Sequence, residues 1–230
     1  MQEAKQKAAL EALKHVKDGF IVGLGSGSTA AFALEYLGQR IKQEKLHILG
    51  VPTSYQAFLL AVKCGIPITT LDEHPQIDMT IDGADQLTSE LFLIKGGGAA
   101  LAREKIVVAA SKLNVIIADQ NKKVKLLGEN NHPVPIEVLP FAISLAKRKI
   151  VDIGGKPVLR EGNGKLGPVI TDNGNAILDS YFGEIANPVE LAVNAKMIPG
   201  VVETGLFVDL ADIAYVGASG VVEKIERVRR

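Results

Sequence analysis

The sequence predicts an α/β protein: a mainly parallel sheet with helices on both faces, followed by a smaller α+β unit. Three observations lead there. Short apolar runs alternate with stretches of helical periodicity from residue 2 to residue 118. Glycine-rich segments follow several of those runs, where a parallel sheet places its loops. Prolines are absent from the first 51 residues but cluster at Pro133, Pro135 and Pro140, marking a change of character near His132.

Residues 2–16 carry Ala8, Ala9, Ala12, Leu13 and Val16 at helical spacing. An apolar strand at 20–24 follows, then the turn Gly25-Ser26-Gly27-Ser28-Thr29. A helix at 30–42, a strand at 46–51, a helix at 55–64 and a strand at 66–70 repeat the alternation. Strands at 79–81 and 91–94 come next, and a helix at 99–110 leads into a strand at 115–118. Past residue 129 the pattern gives a strand at 136–138, a helix at 141–151 and strands at 158–160, 169–171 and 176–180. Asp172-Asn173-Gly174-Asn175 predicts a hairpin turn, because Asn-Gly accepts positive φ. A helix at 188–196 completes a unit of the split βαβ, ferredoxin-like kind. Segments 201–208 and 213–216 read as a return to the first sheet. The expected domains are therefore residues 1–128 with 201–230, and residues 129–200.

The 230 residues are 47% hydrophobic and 23% charged, which excludes disorder. Lys plus Arg equals Asp plus Glu at 26 each. Without a basic excess, binding to nucleic acid or to an acidic membrane surface is not expected. One cysteine, Cys64, and four scattered histidines give no metal-ligand spacing, so no metal or cofactor is expected. No apolar run reaches the length of a membrane span, and the first residues read as an amphipathic helix rather than a leader. A cytoplasmic protein is expected.

Four clusters carry chemistry, each just after an expected strand. In Gly25-Ser26-Gly27-Ser28-Thr29-Ala30, glycines open the backbone to an anion, hydroxyls add donors, and a helix begins. The residues after the second strand, Val51-Pro52-Thr53-Ser54, lack the carboxylate that a dinucleotide site needs. A small-molecule phosphate suits this loop; a plain helix cap is the other reading. Asp82-Gly83-Ala84-Asp85 puts two carboxylates at a strand end, suited to hydroxyl binding and proton transfer. A turn cap or half of a magnesium site are its alternatives. Lys95-Gly96-Gly97-Gly98 sets a lysine at the mouth of an apolar strand, before a bare backbone a ligand can approach; the alternative is a flexible connector.

Glu104 sits in the charged triplet Arg103-Glu104-Lys105, ordinarily a solvated helix face. Yet Ala100, Leu101, Val107 and Val108 lie three or four residues away on its side of the helix. Extended backward, that face includes Gly97. A carboxylate on an apolar stripe should have a raised pKa, which suits a general base. Lys122 follows a strand end and could reach a phosphate, and Lys5 lies on the first helix; either alone reads as a surface lysine.

Taken together, Gly25-Ser-Gly-Ser-Thr29, Asp82-Gly-Ala-Asp85, Lys95-Gly-Gly-Gly-Ala-Ala-Leu-Ala-Arg-Glu-Lys105, Asp172-Asn-Gly-Asn175, Ile198-Pro-Gly-Val-Val202 and Gly205-Leu-Phe207 resemble the type A ribose-5-phosphate isomerase family in order and spacing. The resemblance implies a Rossmann-like domain with a smaller α/β domain that serves oligomerisation. It implies a homodimer or homotetramer, and interconversion of ribose 5-phosphate and ribulose 5-phosphate in the pentose phosphate pathway. By matching motif, Glu104 would be the base, and Asp82, Asp85 and Lys95 would handle ring opening and the C1 and C2 oxygens. Ser26, Gly27, Ser28, Thr29, Lys5 and Lys122 would hold phosphate, with Gly83, Ala84, Gly96, Gly97 and Gly98 against the substrate. Ser26 stands where threonine is commoner in the family, and Asn121 where serine is usual. Two other functions compete. A non-catalytic sugar-phosphate sensor would keep the phosphate loop without needing Glu104. An amino-sugar phosphate deaminase would need a histidine near its site, for which His74 and His132 are the candidates.

Overall fold

The computed structural model describes residues 2–162, 164 and 166–227. Its helices are α1 (Gln2–Leu13), α2 (Gly27–Glu44), α3 (Tyr55–Cys64), α4 (Leu101–Ala109), α5 (Ile143–Asp152) and α6 (Pro188–Lys196). Its strands are β1 (Ile21–Leu24), β2 (Leu49–Pro52), β3 (Met79–Gly83), β4 (Gln86–Leu87), β5 (Leu93–Ile94), β6 (Asn114–Asp119), β7 (Val134–Val138), β8 (Lys156–Leu159), β9 (Ala176–Tyr181), β10 (Val201–Thr204), β11 (Leu206–Phe207), β12 (Ile213–Gly217) and β13 (Val222–Glu226).

The chain divides into two compact units. The larger joins Met1–Ala84, Arg103–Lys123 and Leu210–Arg230. Its six-stranded sheet has the order β13-β12-β6-β3-β1-β2, and only β13 runs antiparallel. Val22, Leu24, Met79 and Ile81 project from one face into a core with Ala8, Ala12, Leu34 and Ala57 of the first three helices. Small residues let α1 come close: a Cβ on Gly217 would lie 2.6 Å from the Ala4 carbonyl carbon. The opposite face is covered by α4, where Val107 packs with Ile77 and Val51. A mainly parallel sheet with helices on both faces is therefore what forms.

The smaller unit joins Asp85–Ala102 and Val124–Asp209. Its four-stranded antiparallel sheet has the order β10-β7-β9-β8, the split βαβ arrangement expected, with α5 after β7 and α6 after β9. Ile136, Val138, Ala146, Ile150, Leu178 and Ala195 form its core. A second, three-stranded sheet has the order β11-β5-β4.

Several elements differ from expectation. Segment 201–208 does not rejoin the first sheet; β10 pairs with β7 and β11 with β5, and only β12 returns. For the same reason residues 85–102, 124–128 and 201–209 belong to the smaller unit. Ile94 and Leu206 share its core with Leu127 and Ile136. Segment 66–70 makes one bridge, Ile68 to Gly50, and Pro67 within it has no N–H to extend a ladder. Segment 169–171 likewise makes only the bridge Ile170 to Ala176. The turn that follows is present: Thr171 N–H donates to Asn175 O at 2.8 Å, with Gly174 at φ +80°. The strand expected at 91–94 begins at Leu93, because Leu91 takes φ +63°.

Candidate active site

The larger unit aims its polar residues by strand alternation. Met79 and Ile81 enter the core under the first three helices, so Thr80 and Asp82 point to the face covered by α4. A Cβ on Gly23 would meet Val107 of α4 at 2.7 Å. The helix leads within a few residues into β6, which is parallel to β3. It must therefore run against the strands, and its first turn lies at their carboxyl ends, where a parallel sheet carries its sites. That turn holds Glu104 and β3 ends with Asp82 and Gly83.

Glu104 is 4% exposed, and Ala100, Leu101, Val107 and Val108 are all buried with it, while Arg103 and Lys105 are half-exposed. The helical-wheel expectation holds for these residues. It does not extend to Gly97, because the helix begins at Leu101 and Ala99 has φ +60°.

Asp82 is fully buried. Its Oδ1 accepts the N–H of Gly83 at 2.7 Å and of Ser26 at 3.1 Å. Gly25 makes that approach possible, since a Cβ there would lie 2.5 Å from the Asp82 Cα. Ser26 occupies the cap position of α2 without capping it. Its hydroxyl instead meets Thr53 Oγ1 at 2.8 Å and Ser54 Oγ at 2.5 Å. Gly27 N–H donates to Gln56 Oε1 at 2.9 Å. Ser28 is exposed and its hydroxyl accepts from Lys5 Nζ at 3.0 Å. Thr29 follows in the first turn of α2. Lys5 Nζ also stands 3.9 Å from the Asp119 carboxylate. Asp119 ends β6 and caps the short turn Gln120–Lys122, accepting Asn121 N–H at 3.1 Å. The carboxyl edge of this sheet thus gathers Ser26, Asp82 and Gly83 in one hydrogen-bonded group, and Lys5, Ser28 and Asp119 in another.

The smaller unit holds Asp85, Lys95 and the glycines after it. Lys95 is 3% exposed; its N–H donates to Gly205 O at 2.9 Å and its Nζ lies 5.5 Å from the Phe207 ring centroid, a cation–π contact. Asp85 Oδ2 accepts Gly97 N–H at 2.7 Å. Gly96 has φ +103° and its carbonyl accepts Ala99 N–H at 2.9 Å. Gly97 and Gly98 are exposed. The chain passes from one unit to the other between Ala84 and Asp85, and again between Ala102 and Arg103, inside two of the motifs read from sequence.

Sequence reasoning missed Thr53, Ser54 and Gln56, having searched the end of β2 for a carboxylate when hydroxyls and an amide serve there. It also missed Phe207 and Arg160, whose partners lie far along the chain. His74 bonds Thr69 Oγ1 at 2.8 Å. Cys64 is half-buried, and burial pushes its thiol pKa up. Among the described residues no helix is long and apolar enough to cross a membrane.

The profile of the family described as ribose 5-phosphate isomerase A (phosphoriboisomerase A) matches residues 49–220. The ribose-5-phosphate isomerase A of Methanosarcina acetivorans is 48% identical over 223 residues, 97% of this chain and 94% of that protein. The structure of ribose 5-phosphate isomerase A from Methanocaldococcus jannaschii superposes with a TM-score of 0.94 at 45% identity, covering 98% of this chain and 99% of that one. A D-ribose-5-phosphate isomerase in complex with phospho-erythronic acid superposes with a TM-score of 0.95, at the same identity and coverage.

Proposed function

The chain belongs to the ribose 5-phosphate isomerase A family and is an aldose–ketose isomerase, and from that premise we propose how its residues interconvert ribose 5-phosphate and ribulose 5-phosphate. The observation that carries the reading is the Glu104 carboxylate, buried on the apolar face of α4 at the end of the sheet where β3 presents Asp82.

Glu104 is the general base. It takes the proton from C2 of the opened aldose; the C–H electron pair becomes the C1=C2 double bond and the C1 carbonyl oxygen takes up negative charge. The result is a cis-enediolate. Glu104 then delivers the same proton to C1 while the proton of the C2 hydroxyl passes to the C1 oxygen, leaving a ketone at C2. Asp82 moves the proton between ring oxygen and anomeric hydroxyl that opens the furanose. Asp85 and Lys95 act on the C1 and C2 oxygens, Lys95 with backbone N–H groups stabilising the oxyanion, an effect of about 2.7–4 kcal/mol per well-placed donor. Ser26, Gly27, Ser28, Thr29, Lys5 and Lys122 hold the phosphate, and Gly83, Ala84, Gly96, Gly97 and Gly98 lie against the sugar. Lys5 hydrogen-bonded to Ser28 supports the first part of that assignment. The remote phosphate contacts keep the reacting carbons in register.

The enzyme acts in the pentose phosphate pathway, in the cytoplasm, as a homodimer. The smaller unit is the oligomerisation domain; Phe141 is fully exposed, Met197 largely so and Leu139 half-exposed, an apolar display that suits burial against a second copy. The test of the function is to mix purified protein with ribose 5-phosphate and follow the ketose, with Glu104→Gln beside it. Turnover by the wild type and none by the folded variant supports the reading; wild-type protein that binds the sugar phosphate without turnover sinks it.

A further inference from the structure

Arg160 follows β8 and meets the glycine loop within the smaller unit. Its Nη1 donates to Gly96 O at 2.8 Å and to Gly97 O at 3.0 Å. Its other edge is taken by Asp179 of β9: Nε to Oδ2 at 2.8 Å and Nη2 to Oδ1 at 2.5 Å. The two side chains are only 15% and 17% exposed. This fork-to-fork pairing fixes the plane of the guanidinium, and through it the two carbonyls.

The peptide group transmits that hold. No described peptide bond is cis, so each N–H points opposite to the carbonyl of its own peptide unit. The Gly96–Gly97 unit is gripped at both ends, its carbonyl by Arg160 and its N–H by Asp85 at 2.7 Å. In the next unit the Gly97 carbonyl faces Arg160, which turns the Gly98 N–H away from the guanidinium. The Asp85 carboxylate already takes the Gly97 N–H, and the Gly98 N–H is directed to the side away from the guanidinium. Three glycines in a row have great freedom when unheld, and ordering them is costly.

We infer that Arg160, seated by Asp179, is a positioning residue: it sets the Gly96–Gly98 backbone so that the Gly98 N–H serves as a donor to the substrate's developing oxyanion. The inference rests on the isomerase reading of the Lys95–Gly98 loop. Arg160 touches no reacting atom itself, and a lysine cannot replace it, since one ammonium cannot engage both Asp179 oxygens and two carbonyls in fixed geometry.

The test compares Arg160→Met, Arg160→Lys and Asp179→Asn with wild type. For Arg160→Met, kcat should fall by about 10²-fold, the cost of a small misplacement of reacting groups, with KM unchanged. Inhibition by phospho-erythronic acid should weaken in step with kcat/KM, whereas inhibition by inorganic phosphate should not change. Arg160→Lys should resemble Arg160→Met, and Asp179→Asn should show the same split at smaller amplitude. An unchanged kcat overturns the inference, and so does a parallel loss of kcat and phosphate binding, the mark of general damage. If Arg160→Met does not unfold cooperatively on heating, Asp179→Asn decides by the same split. Wild-type protein inactive on ribose 5-phosphate overturns the isomerase reading itself; active wild type with an unaffected variant overturns this inference alone.

Discussion

The carboxylate of Asp82 accepts the backbone N–H of Ser26 at 3.1 Å, so the end of β3 fixes the loop that follows β1. The bond lies 56 residues apart in sequence and depends on Gly25 having no side chain. Gly25→Ala would force a Cβ to within 2.5 Å of the Asp82 backbone. The expected cost is about 1–3 kcal/mol of stability, typical of an overfilled site, together with loss of isomerase turnover. Urea unfolding measures the first. Gly98→Ala is the control, since a Cβ there meets nothing within 4 Å; an equally destabilised control would contradict the steric argument.

Glu104→Gln keeps shape and burial but removes the base. The expected outcome is a fall in kcat of at least about 10²–10⁴-fold, the range for general-base catalysis. Substrate affinity and melting temperature should change little. Exchange of the C2 proton with deuterated solvent, followed by NMR, should stop with turnover. Continued exchange in the variant would assign proton removal to another group.

His15 gives the stability a pH dependence on the neutral side of acid. Its Nε2 and Tyr215 OH are 2.8 Å apart. Burial first, and then the nearby Lys224 ammonium, hold its pKa below the ordinary 6.5; Glu226 and Glu11 oppose them and Lys17 adds to them. Below pH 6.5 the unfolded chain therefore takes up a proton that the folded chain resists, and stability must fall as pH drops from 6.5 toward the lowered folded value. Above 6.5 both states are neutral at this residue and it contributes no slope. Unfolding midpoints in urea between pH 5 and 7 should show the decline, and His15→Gln should remove it. A slope that survives in the variant belongs elsewhere.

Glu137 is fully buried on β7, and its Oε1 accepts from Thr171 Oγ1 at 2.9 Å, Asn173 Nδ2 at 3.1 Å and Asn175 Nδ2 at 2.8 Å. It is the anchor of the Asp172–Asn175 turn. Glu137→Ala strands several donors at once, each worth about 1–3 kcal/mol when left without an acceptor. Thermal unfolding should show a large destabilisation, and Glu137→Gln, which keeps a carbonyl oxygen in place, should recover much of it.

Phe141→Asp tests the proposed dimer. Light scattering should show a mass near 24.5 kDa for the variant and twice that for the wild type. Equal masses would move the interface away from this face.

Legibility from sequence followed the range of the interactions involved. Helices α3 and α6 match expectation from end to end because their signals are local. Ser54 accepts Ala57 N–H, Gly65 closes the end of α3 at φ +75°, and Asn187 caps α6 ahead of Pro188. The destinations of β10 and β11 were not legible, since apolar runs do not say which sheet will take them. The two-residue β4 and the edge strand β13 left too little pattern to find. The candidate site divides in the same way. Glu104 and Asp82 declared themselves by a charge placed on an apolar face or strand. Arg160 did not, because its carbonyl partners are 64 and 63 residues away.

The order of strands in the six-stranded sheet also constrains how the chain can be made. β12 is hydrogen-bonded between β6 and β13, yet it is synthesised about ninety residues after β6. During translation one flank of β6, a strand buried along its whole length, waits as an open parallel edge until residues 213–217 clear the ribosome. Neither unit is contained in one uninterrupted stretch of chain, so the smaller one is assembled while the larger is still incomplete. A nascent chain that stalls before Ile213 would present that edge to its neighbours, making the last strands the step that guards the protein against aggregation.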